Sequence, residues 1–521
     1  MAAILAAPQG YPSTVSTNAG FDERDDVKSD NHTFNLTYQL NPNNRLKYIG
    51  SQRKQNQSDQ VDLDSTPAFV YQYATVSSFK VQSNELQWVG DSGDLKYVAG
   101  YYDYKEEFKT YNPQSSSGTT NFANDVSGTT KANAIFAQLD YKFSEHWSGS
   151  AGIRRSKDKK SADSSQYGTS TMFNGAMTSA GLAAFINTGR LVPVTTSLGD
   201  VLLAGLPLDL SRQPTGATTV SFPSAFHAAS SATFSSTTPA LSLTYKHDER
   251  LSIYGRVAAG FRAGGFPSTA GGASTGQGIA ARTTPFNPEK SETRELGFKS
   301  AFWNGKGQLS GSIYENVIND QQTNQLVPGT TSTITVNAGK TKYHGLELEG
   351  NFLVAEGWRV GASWGHIDAK YERYMDNGAN NGGILIDTAS NRVVPYAPKN
   401  TLNLNVDGIL GRTAWGTLRG VLDINHTDEM YNLAANKNPA AANAARVTTA
   451  ANATIPARTI VNGRLTLAGL PVGGPGRADL SFWVRNLTDT RKMINNIDFG
   501  TYRTVLWTDP RMYGLSFGYK W

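Results

Sequence analysis

The last eleven residues, Arg511 to Trp521, constrain what this chain can fold into more than any other stretch. Tyr513, Leu515, Phe517, Tyr519 and Trp521 occupy every second position, with Gly514, Ser516, Gly518 and Lys520 between them. In a strand, period two puts all five large apolar groups on one face and the small or polar groups on the other. The stretch then ends on an aromatic residue with no polar tail. Such a strand is expected to close a transmembrane antiparallel β-barrel by pairing with the first strand. The residues upstream are then further strands of the same wall, with apolar side chains towards lipid and polar ones towards the lumen.

The upstream sequence keeps that rhythm. Residues Tyr11 to Asp30 are polar and read as loop, so 1–30 is expected to be a loop-like N-terminal segment and 31–521 the barrel wall. Phe34, Leu36, Tyr38 and Leu40 alternate with Asn35, Thr37 and Gln39, and the turn Asn41-Pro42-Asn43-Asn44 follows. Ile135, Ala137, Leu139, Tyr141 and Phe143 share a face before the turn Ser144–His146 leads into Trp147–Ser156. The longest irregular stretch is expected at 157–236, with Val201–Leu208 as a short helix or cap inside it. Asn304-Gly305-Lys306-Gly307 is a strong hairpin signal. Leu346, Leu348 and Phe352 alternate with Glu347, Glu349 and Asn351, and a long strand is expected from about Ala478 to Ile494. Roughly seventeen strands result, with tight turns alternating with loops of about fifteen to eighty residues. A sandwich or propeller need not sort its connections into short and long in this way. A β-helix would need a short regular repeat, which is absent.

Composition narrows the alternatives. The chain has 521 residues and no cysteine, which rules out a disulfide scaffold and a thiolate metal site. Its mean hydropathy is negative and no run of eighteen apolar residues occurs, so helical membrane spans are excluded while barrel strands are not. A net charge of +5 is spread along the chain rather than gathered in basic blocks, so no nucleic-acid partner is expected. Residues Met1–Gly10 lack a basic n-region and make a poor secretory signal.

Several segments resemble the C-terminal part of TonB-dependent outer-membrane receptors. Tyr254–Phe266, YGRVAAGFRAGGF, is similar to that family's "GFRxGGF" stretch, and Asn287–Ser300, NPEKSETRELGFKS, to its "PE…E-x-G-x-K" segment. Asn337–Glu349, NAGKTKYHGLELE, resembles "NAG…GxExE", and Arg485–Asp489, RNLTD, resembles "NLFD" with Thr488 in place of the usual aromatic. The ending GYKW fits the family's terminal aromatic. The matches fall in the family's order across essentially the whole chain. The resemblance implies a barrel of about twenty-two strands filled by an N-terminal plug. Nothing similar to a plug, to its TonB-contact segment or to the first strands is recognised here, so a partial receptor wall beginning before the sixth strand is expected.

The resemblance also implies a function: energy-coupled uptake of a scarce solute, such as a ferric siderophore, across the outer membrane of a Gram-negative cell. The partners it implies are outer-membrane lipid, the barrel assembly machinery, a small-molecule ligand such as an iron chelate and, for a full-length member, the TonB complex. A passive porin-like channel and a soluble or surface β protein binding glycans are the alternatives.

Candidate ligand residues follow from side-chain chemistry. Arg262, Phe266 and Arg282 form one group, because Arg pairs with anionic chelates and aromatic rings stack on planar ligands. The plainer reading is that Gly260–Gly265 shapes a loop exit. Tyr371, Tyr374 and Trp507 are candidates at the mouth, against the commoner role of aromatics in an interfacial belt. His227, in the longest loop, is a candidate contact to haem or a metal chelate, or simply a solvated loop histidine. The seven histidines include no H-x-x-x-H pair, and no nucleophile motif, phosphate loop or paired-carboxylate signature occurs. No catalytic residue, bound metal or resident cofactor is therefore expected, and the chain does not read as an enzyme.

Overall fold

A computed structural model of the chain describes residues 23–62, 71–116, 120–170, 172–173, 217–218, 226–267, 284–326, 333–376, 386–435, 437, 450–498 and 503–521. Seventeen strands follow one another in chain order. They are β1 (Arg24–Asn41), β2 (Asn44–Asp62), β3 (Tyr71–Ser92), β4 (Leu95–Ser116), β5 (Thr120–Lys142), β6 (Trp147–Ser170), β7 (Phe226–Lys246), β8 (Leu251–Arg262) and β9 (Glu289–Phe302). The wall continues through β10 (Gly307–Leu326), β11 (Thr333–Ala355), β12 (Trp358–Asp376), β13 (Asn400–Thr413), β14 (Gly416–Thr427), β15 (Arg458–Pro471), β16 (Arg477–Arg485) and β17 (Met512–Lys520). Each runs antiparallel to the one before it, so the wall is a meander. The two-residue strand Ile386–Asp387 pairs with the end of β12 and completes an 18-stranded sheet. Among the described residues β17 pairs with β16 and β1 with β2, and no ladder joins β17 to β1, so the wall is open. The strand number expected from the sequence matches this wall.

Lipid accounts for the outward face. In register, Leu243, Gly255, Leu296, Ile313 and Leu346 stand side by side from β7 to β11. A lower row carries Phe298, Gly311, Leu348, Trp364 and Leu402 from β9 to β13. Of these, Leu243, Leu296, Ile313, Trp364 and Leu402 stay exposed in the isolated chain, Ile313 at 54%, and a soluble sheet of this size does not tolerate such a band. Aromatic pairs gather at the tight-turn end: Trp88–Tyr97 (5.5 Å), Trp147–Tyr245 (4.9 Å), Phe302–Trp303 (4.8 Å) and Tyr519–Trp521 (6.2 Å). Such a girdle marks a membrane interface. Among the described residues no helix is long and apolar enough to cross a membrane.

The strands outrun the bilayer. A barrel strand needs about 9–11 residues to cross, whereas β6 has 24 and β5 has 23. This length corrects three expectations. Arg24–Asp30 is the start of β1 rather than loop, and β6 and β7 extend through Ser170 and from Phe226 into the stretch expected to be irregular. Above the lipid both faces of a strand meet water, so the apolar period that announces a strand disappears while its ladder continues. The expected strand from Ala478 to Ile494 ends at Arg485, because Asn486 takes a left-handed conformation with φ of 49° and turns the chain. Residues 1–22 and Val201–Leu208 lie outside the described residues.

Candidate functional site

The inward face beyond the tight turns carries charge and aromatics together. On β4 the inward side chains are Tyr102, Tyr104 and Glu106; on β5 Phe136; on β6 Arg154, Asp158 and Lys160, as the register fixes. The Arg154 guanidinium lies 5.3 Å from the Tyr102 ring centroid and 5.7 Å from that of Phe136. That geometry lets Arg154 bind by cation–π attraction while keeping free donors. Tyr102 and Tyr104 stack at 6.4 Å and 19°, and the Tyr104 hydroxyl donates to Glu106 at 2.8 Å. Lys160 is within Coulombic reach of Asp158, Glu106 and Arg262. One inner-wall cluster on β4 to β8 therefore offers three cations, two carboxylates and stackable rings. Cations there suit an anionic ligand and the rings suit a planar one.

Arg262, the last residue of β8, is the one expected ligand residue in this cluster. Sequence reasoning missed Arg154, Tyr102, Tyr104 and Phe136. The signal was parity: Ile153 belongs to the lipid face, so Arg154 must point inward. Phe266 sits half-buried beyond Gly264 and Gly265, whose backbone bridges Phe286. Arg282 lies outside the described residues. His227 is in β7, in register with Ser165, and not in a loop.

Tyr371 and Tyr374 do come together, 4.8 Å apart and edge to face. A bulge at Glu372 explains how residues three apart share the inward face: the ladder passes from Thr341↔Tyr371 to Lys340↔Arg373, leaving Glu372 unmatched. The two tyrosines are 7% and 2% exposed and pack with Val394 into a small core at the outer end of β12. Arg392 caps that core, 4.9 Å over the Tyr374 ring, and donates to the Ala434 carbonyl at 2.9 Å. Asp387 completes the joint by accepting from the Tyr374 and Ala389 amides, each at 3.0 Å. The pair therefore presents no open ring surface. Trp507 is separate, in the hairpin Met493–Asp498/Arg503–Trp507, in register with Met493.

The motifs found in the sequence also tie strand ends together. Asn337 accepts the Asn287 N–H at 2.6 Å and donates to the Asn287 and Asp320 carbonyls at 2.9 and 2.8 Å. Gln322 donates to the carbonyls of Ala263 and Asn287 at 3.0 and 3.1 Å, and its own amide donates to Glu289 at 2.8 Å. The outer ends of β8 to β11 are thus tied in one knot. Gly339 must be glycine because a Cβ there would fall onto the Arg373 carbonyl. Asp489, in the fourth motif, accepts the Arg511 N–H at 2.9 Å and pairs with Arg491, also at 2.9 Å.

Those partners, the Arg511 amide first and then Arg491, hold the Asp489 carboxyl below the usual carboxylate range. A depressed folded-state pKa stabilises the loop above the ordinary value of about 3.9 and ceases to do so as pH falls through the folded value. The 486–511 loop is therefore expected to keep its anchorage from neutral pH down to about 4 and to loosen below that. A carboxyl-carbon NMR titration checks this, and an Asp489 midpoint at or above the ordinary value would refute it.

Among the described residues no group of His, Asp and Glu is placed to hold a metal ion. The family profile described as "TonB dependent receptor-like, beta-barrel" matches residues 4–487. Among solved structures, the ferric yersiniabactin uptake receptor FyuA from Yersinia pestis superposes with a TM-score of 0.67 at 17% identity, covering 94% of this chain and 61% of that one. The ferric citrate transporter FecA gives 0.59 at 15% identity, over 95% of this chain and 62% of the other. The copper transporter OprC gives 0.59 at 13%, over 96% and 66%. At these identities the structures share the fold, and this chain spans about three fifths of the length of the first of them.

Proposed function

Because the chain belongs to the TonB-dependent receptor β-barrel family, we propose that it forms the wall of an outer-membrane receptor for energised uptake of an anionic metal chelate. The family is one of transporters, not enzymes. The observation that carries the reading is the inner-wall cluster of Arg154, Lys160 and Arg262 with Tyr102, Tyr104 and Phe136. Cations and rings facing a wet lumen suit a ferric siderophore or a comparable metal chelate, a ligand class consistent with the ferric and copper receptors that share the fold. The TonB complex is the proposed energy source, and the outer membrane the proposed location, with the aromatic girdle at the tight-turn end facing the periplasm.

The test is uptake of labelled ferric chelates by iron-starved cells expressing the gene that encodes this chain. Arg154→Ala removes a charge-assisted contact and is expected to weaken binding of the transported chelate about 10–100-fold while leaving barrel assembly intact. Unchanged affinity in that variant would remove Arg154 from the site. Transport that survives collapse of the proton gradient would favour a passive channel over an energised receptor.

A further inference from the structure

We propose that the outward face of β4, β5 and β6 is a binding site for the phosphorylated headgroup of an outer-leaflet glycolipid. Lys105, Lys131 and Lys159 stand directly opposite one another across three neighbouring strands. Directly facing like charges repel, and a sheet places three in a row only at a cost. Lys54 and Lys80 repeat the arrangement one row higher on β2 and β3, and Arg155 and Lys157 share the outward face of β6 with Lys159. Lys80, Lys131, Arg155, Lys157 and Lys159 are exposed. Glu107, 2.6 Å from Lys105, is the carboxylate that pairs within this set.

Position identifies the occupant. Along β6 the same face reads Trp147, Gly149, Ala151 and Ile153, then Arg155, Lys157 and Lys159, so the cations begin where the lipid-facing residues end. Nearer the tight turns, an apolar groove of about 1160 Å³ runs over the small residues Gly149, Ala151 and Gly255, from Leu139 on β5 across to Leu296 on β9 and Ile313 on β10. Above, a polar groove of about 1030 Å³ is lined by Lys80, Lys109, Ser127 and Ser161 together with Glu107 and Asp163. Acyl chains of an outer-leaflet lipid would lie against Ile153 and the apolar residues before it, its phosphates at the cations from Arg155 to Lys159, and its sugars at the polar groove. The other half of the wall shows the contrast. There Glu315 lies 2.7 Å from Lys342 and 3.8 Å from Arg294, so these outward cations are already neutralised within the protein.

The inference rests on the membrane reading proposed above, and its test separates the two. The full chain, assembled in the outer membrane and purified, is presented with phosphatidylcholine vesicles containing lipid A or dephosphorylated lipid A. Preferential binding of the phosphorylated form is expected, weakening as salt is raised. The triple variant Lys105→Gln, Lys131→Gln, Lys159→Gln is expected to lose binding on the order of 100-fold. The triple Lys→Arg variant should retain it, and both variants should keep heat-modifiable gel mobility. Equal binding of the two lipids, or a Gln variant that binds like the parent, overturns the proposal even though the barrel stands. Competition by inorganic phosphate at equal potency would also overturn it, since the grooves would then contribute nothing. Failure of every variant and the parent to enter the membrane would instead refute the membrane reading.

Discussion

Leu348→Arg is expected to destabilise the wall by about 2–4 kcal/mol, whereas Glu347→Arg, one residue away, should change stability by less than about 1 kcal/mol. The two positions differ only in the face they occupy. Leu348 stands between Gly311 and Trp364 on the outward face, with Leu346 above it and Gly350 and Phe352 below, in the middle of the apolar band. A guanidinium there has no water within reach and no carboxylate in register. Glu347 stands between Ser312 and Gly365 on the inward face, two strands from Glu295 of β9, which accepts the Tyr254 hydroxyl. A cation there meets carboxylates and lumen water. Urea unfolding in lipid, followed by loss of heat-modifiable mobility, measures both variants. Equal destabilisation would mean that the two faces are not lipid and water, and the membrane assignment would fall with it.

Lipid also decides how much of this architecture the sequence reveals. Where a strand crosses the bilayer, alternation is enforced, and Leu346-Glu347-Leu348-Glu349 or Leu402-Asn403-Leu404-Asn405 announces both the strand and its inward face. Beyond the bilayer, Lys157-Asp158-Lys159-Lys160-Ser161 looks like a loop, although it is paired residue by residue with β5 and β7. The same blindness hid the lysine row, because it depends on registers between strands and not on any one segment. Arg154 was lost among its neighbours: Arg155, on the opposite face, carries the same charge. Tyr371 and Tyr374 were legible as aromatics of the mouth, but the bulge at Glu372 that turns both inward leaves no mark in composition. The family-like motifs were legible in the sequence, but the joints they form were not. Asn337 ties β9 to β11, and Gly339 admits the β12 backbone.

The second large effect is expected at the other joint, Asn486→Ala, at about 3–4 kcal/mol. Asn486 is 4% exposed, and its side chain donates to the Thr490 and Asp509 carbonyls at 3.0 and 2.8 Å and accepts the Thr490 N–H at 2.8 Å. Its own amide donates to Asn462 at 3.0 Å, which fastens the turn to β15. Truncation leaves the Asp509 carbonyl and the Thr490 N–H without these partners at a site with little water, while the Thr490 carbonyl keeps the Thr508 hydroxyl, and each such loss costs about 1 kcal/mol or more. It also removes a residue suited to positive φ, here 49°. Asn486→Gly separates these contributions, because glycine relieves the backbone strain and restores none of the hydrogen bonds; it should recover no more than about 1 kcal/mol. The consequence reaches the closing strand. Asp509 lies three residues before β17, and Asp489 holds Arg511 at its threshold, so loosening Asn486 frees the entry of the strand that carries Tyr513 to Trp521. Hydrogen exchange should therefore rise in β17 in the Ala variant and not in β2 or β3. Uniform exchange across the wall would mean that the joint stabilises the sheet globally, and a silent substitution would mean that the turn is held by its ladder alone.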